Sequence, residues 1–182
     1  MMNPILKQQL RDSIADFRLP RYNEIPNVGL YLEQVTKYIN GVLAPLHGTE
    51  ITTSMISNYV KKGFIPPPTK KQYSADQIVY LIFISVTKSV LSLDNIVAAI
   101  DMQRSTYTLP VAYEYFCCEF ENILSYVFGL KDELEMDIGE TNSDEKDFLR
   151  NIIVSVSFSI YLNSYFDRAK LLPSLSADSD RL

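Results

Sequence analysis

The stretch from Ile51 to Ser92 constrains the fold more than any other part of the chain, because it predicts a short helix, an abrupt stop and a long buried helix. The apolar residues of the short helix recur at helical spacing: Met55, Ile56, Tyr59 and Val60. Thr52 can cap this helix by accepting a hydrogen bond from a free N–H group. Gly63 can adopt the left-handed conformation that ends a helix, and the prolines at 66–68 prevent its continuation.

The long helix of this stretch begins with its own capping signal. Ser74 followed by Gln77 fits a capping box, in which each side chain bonds the other residue's backbone N–H. From Gln77 to Val90 the sequence is apolar on nearly every side of a helix. A helix without a polar face must be buried, so we expect this segment to be the pillar on which the other helices pack.

The charge of the chain is distributed unevenly. The net charge of −5 argues against a nucleic-acid partner. Residues 51–90, however, hold five lysines and a single acid, Asp76, for a net +4, so that the remaining residues carry −9. The lysines are Lys61, Lys62, Lys70, Lys71 and Lys88. This asymmetry predicts a local phosphate-binding face on an otherwise acidic molecule.

The residues of the central stretch resemble the MerR-type winged helix-turn-helix. The resemblance rests on Thr52 to Tyr59, on Lys62-Gly63-Phe64-Ile65-Pro66, and on Tyr73-Ser74. In that family a recognition helix ends in Gly and two apolar residues, and a wing leads to a Tyr-rich start of the next helix. Where the MerR pattern usually carries an Arg and a first Tyr, this chain has Ser57 and Asn58.

A wider part of the chain resembles the uncharacterised YkrK-like family of proposed regulators in Firmicutes. The matching residues are Leu19-Pro20-Arg21-Tyr22, Ile25-Pro26, Leu30-Tyr31 and Gln34-Val35. With the central stretch, the resemblance covers roughly Leu19 to Ile100. It implies that the protein is a regulator.

We therefore predict an all-α, mainly helical fold: a MerR-like winged helix-turn-helix with a C-terminal helical extension. Further helices are expected over Pro4–Phe17 and Val28–Leu43, after Ser92, and from Pro110. Residues 146–172 fit a strand by the alternation of apolar residues with serines, but their length and setting favour a helix. The predicted divisions are an N-terminal helix and connector (1–26), a DNA-binding domain (27–104), a dimerisation or effector region (105–172) and a flexible tail (173–182).

Several kinds of chemistry find no support in the sequence. No phosphate-binding glycine motif can be drawn, and His47 is the only histidine. The adjacent Cys117 and Cys118 cannot form a useful disulfide, and ordinary helix residues are favoured over a thiol sensor. The acidic stretch from Lys131 to Asp147 is expected to be solvated. We predict no enzyme, no catalytic residue, no metal and no cofactor.

The expected cellular location of the protein depends on two features that the sequence lacks: a secretory signal and a membrane span. The N-terminus mixes charges into its apolar residues, unlike a secretory signal. The longest uncharged run, 151–166, is shorter than the ~20 apolar residues of a membrane span. We expect a soluble, cytoplasmic protein without membrane contact.

The predicted function is that of a DNA-binding transcriptional regulator, with a recognition helix at 53–62 in the major groove and a basic wing at 69–73. Lys61 and Lys62 also suit a helix C-terminus whatever the function, and Tyr59 fits a core position as well as a phosphate contact. The candidate contacts are Thr53, Ser54, Ser57, Asn58, Tyr59, Lys61, Lys62, Lys70, Lys71 and Tyr73.

Two further expectations concern partners. We expect a homodimer whose interface comes from 110–128 and 147–166, while a small-molecule effector stays unidentified. The alternative function is an acidic helical protein–protein interaction module that binds no DNA and offers its apolar C-terminal face to a partner.

Overall fold

The computed structural model of the protein describes residues 3–134 and 143–171, and within these ranges the chain is mainly helical, as predicted. The seven helices of these ranges are α1 (Pro4–Ile14), α2 (Leu32–Val42), α3 (Thr53–Lys61), α4 (Ala75–Thr87), α5 (Leu93–Thr106), α6 (Leu109–Val127) and α7 (Asp144–Leu171). The described residues also form two short antiparallel strands, β1 (Leu30–Tyr31) and β2 (Gln72–Tyr73), and a 3₁₀ turn at Tyr22–Glu24. The predicted tail and the middle of the acidic stretch lie outside the described residues.

Helix α4 is the centre of the core, which confirms the prediction of a buried pillar. Ten of its thirteen residues are buried, so it has no solvent face. Ile78, Leu81 and Ile82 are fully enclosed. The helix contacts α2, α5 and α7, and its burial is therefore shared between the N-terminal and C-terminal halves of the chain.

The connector after α1 is tied to α6 by a half-buried salt bridge. Arg21 donates to both carboxylate oxygens of Glu121, at 2.6 and 2.9 Å, and the backbone N–H of Leu19 donates to the same carboxylate at 2.8 Å. This pairing raises the pKa of Arg21 above its ordinary value. The Leu19-Pro20-Arg21-Tyr22 segment thus has a structural role, because it locks the N-terminal connector onto α6.

Residues 146–171 are helical, which settles the ambiguity between helix and strand in this region. The hydroxyl of Ser157 donates to the carbonyl oxygen of Ile153 at 2.8 Å, so a buried serine is satisfied within the helix itself. Helix α7 packs most extensively on α6, and the enclosed Glu119 of α6 pairs with Arg150 of α7 at 3.0 Å.

The predicted helix over Val28–Leu43 is wrong in its first residues. Leu30 and Tyr31 pair with Tyr73 and Gln72 instead, and α2 begins only at Leu32. The pairing with a distant strand supplies backbone bonds that the first helical turn would leave unmade. Similarly, the first helix stops at Ile14, three residues before the predicted Phe17.

The core is continuous across the predicted boundary between residues 104 and 105. Helix α5 runs through this boundary to Thr106, and α7 contacts α1, α4 and α5 as well as α6. One hydrophobic cluster contains residues from all seven helices. No helix among the described residues has the length and apolarity that crossing a membrane requires.

Candidate nucleic-acid interface

Helix α3 is amphipathic, and its two faces have different environments. Ile56 and Tyr59 are buried against the rest of the molecule. The opposite face exposes Ser54, Ser57, Asn58 and Lys61, at the spacing of one side of a helix. The hydroxyl of Thr52 accepts from the N–H of Met55 at 3.2 Å, which confirms the predicted cap. The exposed side of α3 is therefore polar and fixed in place by an apolar base.

The end of α3 fixes the position of Lys61 and Lys62. Gly63 takes a left-handed φ of +75°, and its N–H donates to the carbonyl oxygen of Val60 at 3.0 Å. The N–H of Phe64 donates to the carbonyl oxygen of Tyr59 at 2.9 Å, completing a Schellman motif. The predicted stop at Gly63 is confirmed, and both lysines lie exposed at this end.

The turn between α2 and α3 is held by a side-chain amide that the sequence analysis missed. Asn40 donates to the carbonyl oxygen of Ile51 at 2.8 Å and accepts from its N–H at 2.9 Å. The buried hydroxyl of Thr49 donates to the carbonyl oxygen of Leu46 at 2.8 Å. A polar residue directly after the core residue Ile39 was the available signal for this clamp. The clamp sets the point at which α3 starts.

The wing is a two-residue turn with two lysines at its tip. Thr69 and Gln72 exchange backbone hydrogen bonds of 2.9 and 3.1 Å across the turn. Lys70 and Lys71 both have positive φ, of 51° and 66°, which is the pattern of a type I′ turn. Such turns favour Asn-Gly, because left-handed backbone brings the Cβ of most residues too close to a carbonyl oxygen, whereas Gly has no Cβ and Asn can offset the cost by local hydrogen bonds. The chain therefore carries two charges at a place where local stability favours other residues.

The wing is anchored to the two helices beside it. Gln77 accepts from the N–H of Ser74 at 2.8 Å, and its amide donates to the carbonyl oxygen of Pro66 at 2.8 Å. This side chain joins the loop after α3 to the start of α4, and the predicted capping box is confirmed. Gly29, just before β1, has a φ of +69°, and a Cβ there would lie a tight 3.1 Å from the Cβ of Gln72, so glycine is favoured at this close approach to the wing.

Two of the ten candidate contact residues lie in the core. Tyr59 and Tyr73 are 3% and 4% exposed, and burial raises the pKa of both phenols. The ring of Tyr59 packs beneath α3 and the ring of Tyr73 packs beneath the wing, which favours the core interpretation of Tyr59. Thr53 is half-buried, and the other candidates are exposed: Ser54, Ser57, Asn58, Lys61, Lys62, Lys70 and Lys71.

The four lysines of this surface form no ion pair with an acid of the described ranges. Lys62 lies 5.8 Å from the ring centre of Phe64. Lys88, the fifth lysine of the central stretch, is instead committed to the carbonyl oxygen of Glu50, and burial lowers its pKa. Glu33 lines the same shallow depression as Lys71, so one acid lies at the edge of the surface. The surface is otherwise basic and polar.

Other candidate chemistry lies outside this surface. Burial raises the pKa of the Cys117 thiol to about 12, and the pKa of the partly exposed Cys118 is raised for the same reason. Both thiols are free. Within 3–134 and 143–171, no group of three His, Cys, Asp or Glu side chains is arranged to hold a metal ion.

Taken together, the fold and the site define a helical protein with a basic surface made of one exposed helix and one strained β-turn. The comparison with protein families places it more closely: a model described as "Domain of unknown function (DUF1836)" matches residues 20–116, and the chain belongs to that family. The match covers just over half of the chain and includes α2 to α5, with both parts of the basic surface. Searches of curated proteins and of solved structures returned no significant match.

Proposed function

We propose that the protein binds double-stranded DNA as a transcriptional regulator, with α2, α3 and the strand pair forming a MerR-like winged helix-turn-helix. In this proposal α3 enters the major groove. Ser57 and Asn58 then face the base edges, where an Asn can pair with adenine through two hydrogen bonds. Lys61 and Lys62 meet the phosphate backbone on one side, and Lys70 and Lys71 meet it at the wing.

The observation that carries the proposal is the pair of left-handed lysines at the wing tip. Cations at a helix C-terminus have an ordinary explanation in the helix dipole, so Lys61 and Lys62 alone decide little. No such local benefit applies to Lys70 and Lys71, whose backbone conformation opposes their side chains. Strained residues of this kind are concentrated at functional sites. A polyanion close to the wing supplies the missing reason for two charges there.

DNA binding is tested by titrating a fluorescent duplex of arbitrary sequence at low salt, because phosphate attraction needs no cognate site. The wild-type protein should bind, and its affinity should fall linearly with the logarithm of salt concentration. In the quadruple Lys61→Ala/Lys62→Ala/Lys70→Ala/Lys71→Ala variant, each lost phosphate contact should reduce that slope by about 0.9. The fold should persist, since all four side chains are exposed.

A charge-matched control separates a specific surface from general electrostatics. The test variant is Lys70→Ala/Lys71→Ala, and the control is Lys7→Ala/Lys170→Ala, which removes the same amount of charge. Lys7 is exposed on α1, and Lys170 is exposed at the end of α7. Only the wing pair should weaken binding strongly. Equal losses in the two variants, or undiminished affinity in the quadruple variant, would refute the basic surface.

We further propose that the protein is a homodimer whose interface is centred on α7. Phe158, Leu162 and Phe166 recur every four residues on α7 and are 48%, 49% and 57% exposed. Most of the large apolar residues of α6 face the interior of the monomer, and only Val111 and Tyr126 among them are exposed. We call Phe158, Leu162 and Phe166 the α7 stripe. Within the expected interface of 110–128 and 147–166, we propose that the α7 stripe makes most of the contact between the two copies.

Light scattering coupled to size exclusion tests the dimer. We expect twice the monomer mass of 20.8 kDa for the wild type. The Leu162→Glu variant should run as a monomer, because it places a charge in the centre of the α7 stripe. Gln9→Glu, at an exposed position of α1 outside the expected interface, is the control and should stay dimeric.

The same stripe favours the alternative function, an interaction module that binds another protein. A monomeric wild type that fails to bind duplex DNA at low salt would support that alternative over the proposed regulator.

A further inference from the structure

A cavity of about 460 Å³ lies between α4, α5, α6 and the first turns of α7. None of the residues that line it belongs to α3 or to the wing, so it is separate from the proposed DNA surface. Its volume falls within the roughly 300–1,000 Å³ of pockets that hold drug-sized molecules. The cavity is therefore large enough to be a binding site in its own right.

The cavity has a buried floor and an open mouth. Its floor includes buried residues from all four helices: Val79, Ile100, Phe116 and Ile152. At the mouth, Met102, Val111 and Phe148 are 42%, 58% and 43% exposed. Exposed large apolar side chains grouped around an opening mark an interaction site rather than ordinary surface.

The wall of the cavity indicates the chemistry of its ligand. A third of the lining side chains are aromatic: Tyr80, Phe83, Tyr107, Tyr113, Tyr115, Phe116 and Phe148. Aromatic walls favour ring-containing ligands, which can stack on them or meet them edge to face.

The charged groups of the wall are already engaged within the protein. Glu114 pairs with Arg21 at 3.4 Å, and Lys146 lies 5.3 Å from the ring centre of Tyr115. The carboxylate of Glu145, at the start of α7, accepts hydrogen bonds from the backbone N–H of Glu145 and from the side chain of Ser143, and these bonds lower its pKa. A charged ligand would lose its water without a dedicated partner here, which disfavours anions and cations alike.

We propose that this cavity binds one uncharged, aromatic small molecule per chain. The proposal does not depend on DNA binding. A second copy of the chain is a poorer occupant, because a helix about 10–12 Å across does not fit inside a cavity of about 460 Å³.

N-phenylnaphthylamine is a suitable probe, because it is uncharged, aromatic and fluoresces strongly only in apolar surroundings. Titration of the full chain should give saturable binding of one dye per chain. Anilinonaphthalenesulfonate has the same ring skeleton with an added negative charge, and it should bind about tenfold or more weakly. Equal or tighter binding of the sulfonate would overturn the assignment to an uncharged ligand.

Two neighbouring alanines of α5 provide a matched pair of variants. Ala99 lines the cavity, whereas Ala98 is exposed and does not. Ala99→Phe should fill the space and weaken dye binding about tenfold or more, whereas Ala98→Phe should leave it unchanged. If Ala99→Phe does not fold, Ala112→Leu fills the same cavity from α6.

The outcomes separate the proposal from its competitors. Saturable binding that only the cavity-filling variants lose supports the proposed site. Unchanged dye binding in a folded filling variant would overturn it. A change of molecular mass in Ala99→Phe but not in Ala98→Phe would also overturn it, because a second copy would then occupy the cavity.

Discussion

Replacing Lys70-Lys71 by Asn-Gly should make the protein more stable and a weaker DNA binder at the same time. Left-handed backbone costs an ordinary L-residue about 1–2 kcal/mol, and both lysines have it. Asn relieves part of this cost and Gly relieves all of it, while the extra freedom of Gly in the unfolded chain takes back about 0.5–1 kcal/mol. The expected net gain in the free energy of unfolding is therefore about 1 kcal/mol.

Thermal unfolding gives the first measurement. For a chain of this length, about 1 kcal/mol corresponds to a rise of about 2–4 °C in the melting temperature. Titration of duplex DNA gives the second: the loss of two phosphate contacts should lower the salt slope by about 1.8. Opposite changes in stability and affinity are the signature of residues kept for binding rather than for folding.

Two control variants separate charge from strain. Lys70→Gln/Lys71→Gln removes the charges but keeps a strained turn, so it should lose DNA affinity without gaining stability. Lys70→Arg/Lys71→Arg keeps the charges and should keep affinity. A lower melting temperature in the Asn-Gly variant would refute the assignment of the turn, and wild-type DNA binding in that variant would refute phosphate contact at the wing.

Three further predictions test the fold beneath the surface. Ile82→Asp should unfold or aggregate the protein, because an isolated carboxylate at the centre of α4 carries a heavy desolvation penalty; a native melting temperature would contradict this. Asn40→Ala should lower the free energy of unfolding by about 2–3 kcal/mol in urea titrations, because it leaves both backbone groups of Ile51 without their partners. With the pKa of its thiol at about 12, Cys117 should resist alkylation near pH 8, where about 10⁻⁴ of it is thiolate, and react readily once the chain is unfolded.

Local signals made the central stretch predictable from the sequence. Thr52, Gly63 and the Ser74–Gln77 pair act on backbone groups within one helical turn, so their effect depends little on the rest of the fold. The uniform apolarity of α4 is equally direct, because a helix that is apolar all round has only one stable environment.

The parts of the fold that depend on distant residues could not be predicted. Strand β1 is two residues long and exists only because β2 pairs with it. Arg21 and Glu121 are separated by 100 positions, and neither residue type indicates a particular partner. The type I′ wing turn could not be predicted for a different reason: such turns favour Asn-Gly, and Lys-Lys gives no signal for this turn type.

Helix α7 is shared by the cavity and the α7 stripe, and its end reaches the turn before α3. At about 1.5 Å per residue, its 28 residues span about 42 Å. Its first turns line the cavity, its exposed face carries the α7 stripe, and near its end Asp167 lies 3.3 Å from His47 in the turn before α3. That last contact is exposed and contributes little stability. A ligand in the cavity would touch the same helix that carries the α7 stripe and that reaches the turn before α3.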